Sequence, residues 1–227
     1  MKNEKITIGS RSVILNGADK PNYLIVQMMD NHDLEKLDSL VSSIDELVKI
    51  PHLHCSVQVD NWNRDLSPWP APPVFGDEPF GDGAGMTLEY IKDTLLPALR
   101  ERIDLSDARI VLSGYSLAGL FCLWAAYQED SFWGIAAASP SVWFPGWIPY
   151  ASGHPLKVSR VSLSLGGKEA KTRNELMATV ADCMDMQVEL VRKSEGAKVF
   201  FEWNPGNHFK EPDLRTAKAI AALVKMG

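Results

Sequence analysis

The pattern of apolar residues constrains the fold most. Short, almost continuous apolar runs alternate along the chain with longer stretches of three-four spacing. Residues 23–28 and 109–112 are apolar nearly throughout, as strands buried on both faces should be. Residues 34–49 carry Leu34, Leu37, Leu40, Val41, Ile44, Leu47 and Val48, which predicts one helix. The series continues with a strand over 53–59, which alternates, a helix over 86–102, the strand 109–112 and a helix over 117–128. Strands over 133–138, 158–165 and 199–203 and helices over 173–193 and 213–225 complete it, after an early hairpin of 6–8 and 13–15 through Gly9-Ser10. Strands alternating with helices specify an α/β domain with a mostly parallel central sheet and helices on both faces. A chain of 227 residues is expected to form this as a single domain.

Residues 61–85 break the rhythm with Pro68, Pro70, Pro72, Pro73 and Pro79, five prolines among several glycines. Trp62, Trp69, Phe75 and Phe80 bring apolar surface that favours burial, so this insert reads as an ordered loop over one end of the sheet. A second aromatic loop is expected over 140–155, with Trp143, Phe144, Trp147 and Tyr150. Both leave the carboxyl ends of strands, where open α/β sheets bind ligands. Trp62, Trp69, Trp143 and Trp147 are therefore candidates to roof a pocket, or alternatively to fill the core.

The sharpest local signal is Gly114-Tyr-Ser116-Leu-Ala-Gly119, at the end of one predicted strand and the start of a helix. A sharp strand-to-helix turn can hold a serine in an exposed, strained position, and small neighbours let the two backbones approach. Ala118 stands where the usual G-x-S-x-G pattern has glycine, a mild departure. The Leu117 N–H, at the first turn of the helix, would face an oxyanion, with a second donor expected near Met29 or Asp30 after the third strand.

A hydrolase of this order runs nucleophile, acid, histidine. His154 follows Ser116 too closely for an acid to intervene, whereas His208 falls between the last strand and the last helix. The acid should follow the penultimate strand. There Gly166-Gly167 makes a turn, and Thr172-Arg-Asn-Glu175 reads as a capping box that starts the next helix near Arg173. Glu169 is left in the loop as the candidate acid. Asp182 and Asp185, inside the predicted helix, are the alternatives, and a Ser–His dyad also stays open.

Other features carry less. A net charge of −6 without a basic stripe gives no electrostatic basis for binding nucleic acid or an anionic membrane. The N-terminus has no apolar signal segment, and no run reaches the roughly 18 apolar residues of a membrane span, so a cytoplasmic protein is expected. Cys55, Cys122 and Cys183 read as reduced thiols without zinc spacing. His52-Leu-His54, with Asp30, His32 and Asp33, lacks any further support for a metal.

Together, Gly114-Tyr-Ser-Leu-Ala-Gly119, Ala138-Ser-Pro-Ser-Val-Trp143, Gly206-Asn-His208-Phe209 and Arg64-Asp65-Leu-Ser-Pro68 resemble the putative-esterase branch of the α/β hydrolases. That branch includes esterase D and the enterochelin (siderophore) esterases. The resemblance implies an α/β-hydrolase fold and hydrolysis of a small-molecule carboxylic ester without a cofactor, by Ser116, His208 and Glu169. The family often places Asp at the acid position, and some of its members work with a dyad. An acyltransferase or thioesterase on the same site, or a non-catalytic binding scaffold, are the competing readings.

Overall fold

The computed structural model describes residues 2–74 and 76–227. Phe75, expected to help order the 61–85 loop, lies outside them. The early hairpin forms between β1 (Lys2–Ile8) and β2 (Arg11–Gly17). It turns at Gly9, whose φ of 59° lies in the left-handed region. The remaining strands are β3 (Tyr23–Met29), β4 (His52–Gln58), β5 (Arg109–Tyr115), β6 (Gly134–Ala138), β7 (Arg160–Gly166) and β8 (Lys198–Asn204). They form one sheet in the order β1-β2-β4-β3-β5-β6-β7-β8, parallel from β4 to β8. β4, read from sequence as alternating, is buried along almost its whole length, because it runs inside the sheet between β2 and β3.

Period-two alternation sorts the interior strands onto two cores. Tyr23, Ile25, Val111, Ala136 and Ala138 face one side, where they meet Leu40 and Ile44 of α2 (Leu37–Leu47) and Ile220 and Leu223 of α10 (Pro212–Val224). Leu24, Val26, Leu112 and Ile135 face the other side, against Phe121 of α6 (Ser116–Gln128) and Val188 of α9 (Val180–Lys193). Helix α6 is apolar on every side, so it is buried on every side.

The helices differ from their sequence-based limits where local hydrogen bonding competes with the α ladder. The helix expected over 34–49 is two, α1 (Asn31–Leu34) and α2, because Lys36 N–H donates to Asp33 O and tightens the chain between them. The run over 86–102 is α4 (Ala84–Glu89) and α5 (Leu96–Arg102), joined by a wider π turn at Tyr90–Leu95. Pro97 follows that turn and has no N–H to give the α ladder. The run over 173–193 is α8 (Glu175–Ala178) and α9, since the Thr179 hydroxyl donates to Leu176 O at 2.7 Å and interrupts it. Its cap is Asn174, which accepts from Met177 N–H, and the helix starts two residues later than the expected Arg173.

The proline-rich insert is tied down. It begins with α3 (Trp62–Leu66), bridges Ala71 to Phe80, and anchors the Trp69 indole N–H on Pro145 O at 2.8 Å. The second aromatic loop holds an unexpected helix, α7 (Trp147–Gly153), started by Gly146 at φ 80°. Among the described residues, no helix is long and apolar enough to cross a membrane.

The chain order places the decisive junction. After β3 it moves outward to β4, then returns past β3 to β5, so α2 and α6 leave adjacent parallel strands on opposite faces. The carboxyl ends of β3 and β5 therefore flank the crevice that open α/β sheets use for ligands. β5 enters α6 so steeply that a Cβ on Gly114 would stand 2.4 Å from the Ala118 carbonyl carbon. Gly114→Ala should therefore lower stability by about 3 kcal/mol or more, read as a fall in the urea midpoint, since backbone and not a movable side chain is in the way.

Candidate active site

The turn between β5 and α6 holds Ser116 at φ 57°, a left-handed conformation that costs a side-chain-bearing residue about 1–3 kcal/mol. The turn persists because Gly114 admits the helix backbone and Gly119 lies against Pro140, where a Cβ would sit 3.1 Å away. Ser141 N–H donates to Ser116 O at 3.0 Å, which locks the turn from the loop after β6. The Ser116 side chain is left half-buried at the carboxyl end of the sheet.

His208 reaches it from the turn between β8 and α10. Ser116 O–H lies 3.1 Å from His208 Nε2, while His208 Nδ1–H donates to Glu169 Oε2 at 2.7 Å. The three residues expected from sequence thus form one hydrogen-bonded chain. His154 does not join it: its Nδ1–H donates to Tyr150 O, and its ring stacks on Tyr150. Asp182 and Asp185 are exposed on α9, outside the chain.

Glu169 is nearly buried, and its two oxygens are used differently. Oε2 serves His208 alone, while Oε1 accepts from Ser139 Oγ at 2.7 Å, Gly166 N–H at 2.7 Å and Arg215 Nη1 at 3.1 Å. Burial by itself would raise this carboxyl. The bond from His208 and its charge, then the Ser139 and Gly166 bonds, outweigh it and hold the carboxyl below its ordinary value of 4.5. Gly166 must lack a side chain, because a Cβ there would stand 2.8 Å from both Glu169 Oε1 and Arg215 Nη1.

Arg215, on α10, is the component that sequence reading missed. Its guanidinium also donates to Tyr115 Oη at 3.3 Å, Ser139 Oγ at 3.4 Å and Pro205 O at 2.8 Å. An arginine in an amphipathic helix ordinarily reads as solvated, yet this one is almost wholly enclosed. The only hint was its spacing one turn before Ala219, on the apolar face of α10. Tyr115 is a second missed part. Burial pushes its phenol up to about 12, so it remains a neutral donor, and its hydroxyl bonds to His208 O. Ser139, at φ 45°, and Ser141, whose hydroxyl is 3.4 Å from Ser116 Oγ, belong to the Ser-Pro-Ser motif seen in the sequence without an assigned task.

The other expected site residues fall as follows. Leu117 is in the first turn of α6, where amides have no intrahelical acceptor. Met29 ends β3 and Asp30 follows it, and the pairing of Gln27 with Ser113 brings that end alongside Tyr115 and Ser116. The Asp30 side chain caps α1 by accepting from Asp33 N–H at 2.7 Å. Trp62 and Trp69 are half-buried, and Trp143 is buried against Phe80. Trp147 is no pocket wall. It is fully enclosed, with its indole N–H on Gln187, because α7 turns it into the space over α9. His52 pairs with Asp45, while His54 bonds Gln27 and Ser56. Burial, helped by His52, takes His54 down to about 3, so it is a neutral part of the core.

A family model described as Putative esterase matches residues 57–211 of the chain. Among solved structures, an IroE-like serine hydrolase from Shewanella oneidensis superposes with a TM-score of 0.80 at 17% identity, covering 99% of this chain and 80% of that one. The siderophore hydrolase EstA from Aspergillus nidulans gives 0.77 at 17% identity, with 99% and 94% covered. EstB, a siderophore hydrolase of the same fungus, gives 0.72 at 19% identity, with 97% and 93% covered. What these structures share with the chain is the α/β-hydrolase fold.

The electrostatics of Glu169 can be tested through stability. Its folded carboxyl is more acidic than the ordinary 4.5, so its stabilisation is complete above that value and is lost as pH falls through the folded value. The stability gap between wild type and Glu169→Gln should be widest above pH 4.5 and shrink as the pH falls further, in thermal melts across that range. Arg215→Met should cost about 3–5 kcal/mol by leaving a buried carboxylate without its guanidinium, and Arg215→Met/Glu169→Gln should recover part of that loss.

Proposed function

Because the chain belongs to the Putative esterase family, we propose that it is a serine hydrolase that cleaves carboxylic esters through Ser116, His208 and Glu169. The observation that carries this reading is the continuous chain from a strained serine hydroxyl through an imidazole to a buried carboxylate. A serine hydroxyl needs a base to become a nucleophile, and the base needs its ring held in one tautomer. The distances given above support both requirements.

In this reading Ser116 Oγ attacks the ester carbonyl carbon while its proton passes to His208 Nε2. The carbonyl oxygen becomes an oxyanion, to which the Leu117 N–H and the N–H of Met29 or Asp30 are assigned as donors. His208 then returns the proton to the leaving alcohol as the ester C–O bond breaks, and an acyl-serine remains. Water attacks that acyl group with His208 again as base, and Ser116 leaves with the proton. Glu169 stays ionised throughout and carries the transient positive charge on the imidazole. No cofactor is required. Trp143, two residues beyond Ser141, together with Trp62 and Trp69 from the 61–85 insert, is assigned to the apolar side of the ester. Two of the similar structures are named siderophore hydrolases, so siderophores belong in the first substrate panel beside simple aryl and alkyl esters.

Intact-protein mass after brief exposure to a fluorophosphonate tests the reading. One adduct should form on the wild type and on neither Ser116→Ala nor His208→Ala. Turnover of an activated aryl ester should fall by up to about six orders of magnitude in those two variants and by less in Glu169→Gln. A folded wild type that takes no adduct and turns over no ester would overturn the proposal. An unchanged rate in Glu169→Gln would remove Glu169 from it.

A further inference from the structure

The two edges of the sheet are finished differently. The β1 edge, Lys2-Asn-Glu-Lys-Ile-Thr-Ile8, carries three charged residues, and its Glu4 is paired with Arg102. Charges of this kind are the usual guard against pairing with another strand. The opposite edge, β8, reads Lys198-Val-Phe-Phe-Glu-Trp-Asn204 and pairs only with β7 among the described strands. Phe200 is 40% and Trp203 48% exposed, so β8 supplies two of the molecule's most exposed large apolar side chains. No proline, glycine or bulge interrupts it.

Backbone directions on β8 are fixed by its inner neighbours. Lys198 N–H donates to Ser159 O, and Asn204 O accepts from Gly167 N–H. Even-numbered residues therefore turn their backbone groups toward β7, and Val199, Phe201 and Trp203 turn theirs outward. We propose that this edge is a homodimer interface, at which β8 of a second copy pairs antiparallel about a two-fold axis through Phe200. The strand is its own complement in that register. Val199 and Phe201 exchange backbone hydrogen bonds with Phe201 and Val199 of the second copy. Lys198 stands opposite Glu202 on both sides of the axis, and the two Phe200 rings meet at it. The Lys–Glu and Phe–Phe positions are the non-hydrogen-bonded ones, where side chains approach most closely. A groove beside Phe200 offers the rings Leu47, Ala221, Ala222 and Met226 as apolar contacts, with Glu202, Lys218 and Lys225 also in its lining. Trp203 falls opposite the small Ala197 of the second copy. The contact is closed by its two-fold axis, and the charged β1 edge does not extend it into a fibre.

Charge reversal tests both the surface and the register. Sedimentation velocity of the wild type, from micromolar to submillimolar concentration, should show a monomer–dimer equilibrium. Lys198→Glu and Glu202→Lys should each weaken the dimer by at least about tenfold, because each sets like charges opposite one another twice. An equimolar mixture of the two variants should form a heterodimer with near wild-type affinity, since every cross-strand pair is then opposite in sign. Val199→Pro removes an outward N–H and leaves the β7 ladder intact, so it should be monomeric with an unchanged circular dichroism spectrum. A wild type that stays monomeric throughout, a Val199→Pro that still dimerises, or a variant mixture that does not associate would each overturn the proposal. None of these readouts depends on ester turnover, so a failed hydrolase assignment leaves this test standing.

Discussion

The carboxylate of Glu169 is the point on which the site depends, because it is buried and has two cationic partners of different kinds. Arg215 is permanently charged, and its guanidinium is enclosed with the carboxylate. His208 is charged only when it holds a second proton. The permanent partner, together with Ser139 Oγ and Gly166 N–H, occupies Oε1. Oε2 accepts from His208 Nδ1–H and so orients the ring. The carboxylate therefore acts first as an aiming device: its own position is fixed by three donors before the imidazole arrives. A shorter acid at this position would have to bring the same donors closer or lose one of them. The Gly166 turn, with no room even for a Cβ, shows how tightly the cage is drawn.

The same cage couples elements that are remote in sequence. Arg215 comes from α10, Ser139 from the end of β6, Glu169 from beyond β7 and Tyr115 from the end of β5. Two of the strand ends are strained, at Ser116 and Ser139, and each is held by a backbone bond, the first to the loop after β6 and the second to strand β7. Ser141 N–H fixes Ser116 O, and Ser139 N–H fixes Ser164 O. Strain of this size persists only where the surroundings leave the chain no easier path. Here the surroundings are the parallel strands themselves, which deliver every loop to the same end of the sheet.

This division explains what could be read from the sequence. The parallel sheet was legible because residues 23–28 and 109–112 need apolar neighbours on both faces. Ser116, His208 and Glu169 were legible because their order follows from where loops leave such a sheet. The breaks in the helices were not, because they hang on single hydrogen bonds such as Thr179 Oγ1 to Leu176 O, which compete weakly with the ladder. Asn174 displaced Thr172 as cap for the same reason: either side chain can accept from a helix N-terminus, and the tertiary position of the loop decides. Helix α7 was hidden by Pro145 and Pro149, which read as loop signals, although proline is well tolerated in a first helical turn. Arg215 was hidden more deeply, since nothing in a helical pattern distinguishes a solvated arginine from one that finds a carboxylate across the fold.

His208 itself hangs from the end of β8 by way of the turn that follows it. Asn204 O accepts from Gly167 N–H, Pro205 O from Arg215, and Gly206 O from Lys168 N–H. Two of those bonds run to the segment that carries Glu169, and the third runs to the residue that holds its carboxylate. The segments that carry Glu169 and His208 are therefore mounted on one another through backbone as well as through the imidazole, and Tyr115 adds a bond from the strand that leads into Ser116 to His208 O. A displacement of β8 along β7 would have to break the bonds from Gly167 and Lys168, so the register of these two strands holds His208 against Glu169. The 3.1 Å bond between Ser116 Oγ and His208 Nε2 instead joins the ends of β5 and β8, which β6 and β7 separate, and the Tyr115 side-chain bond runs beside it.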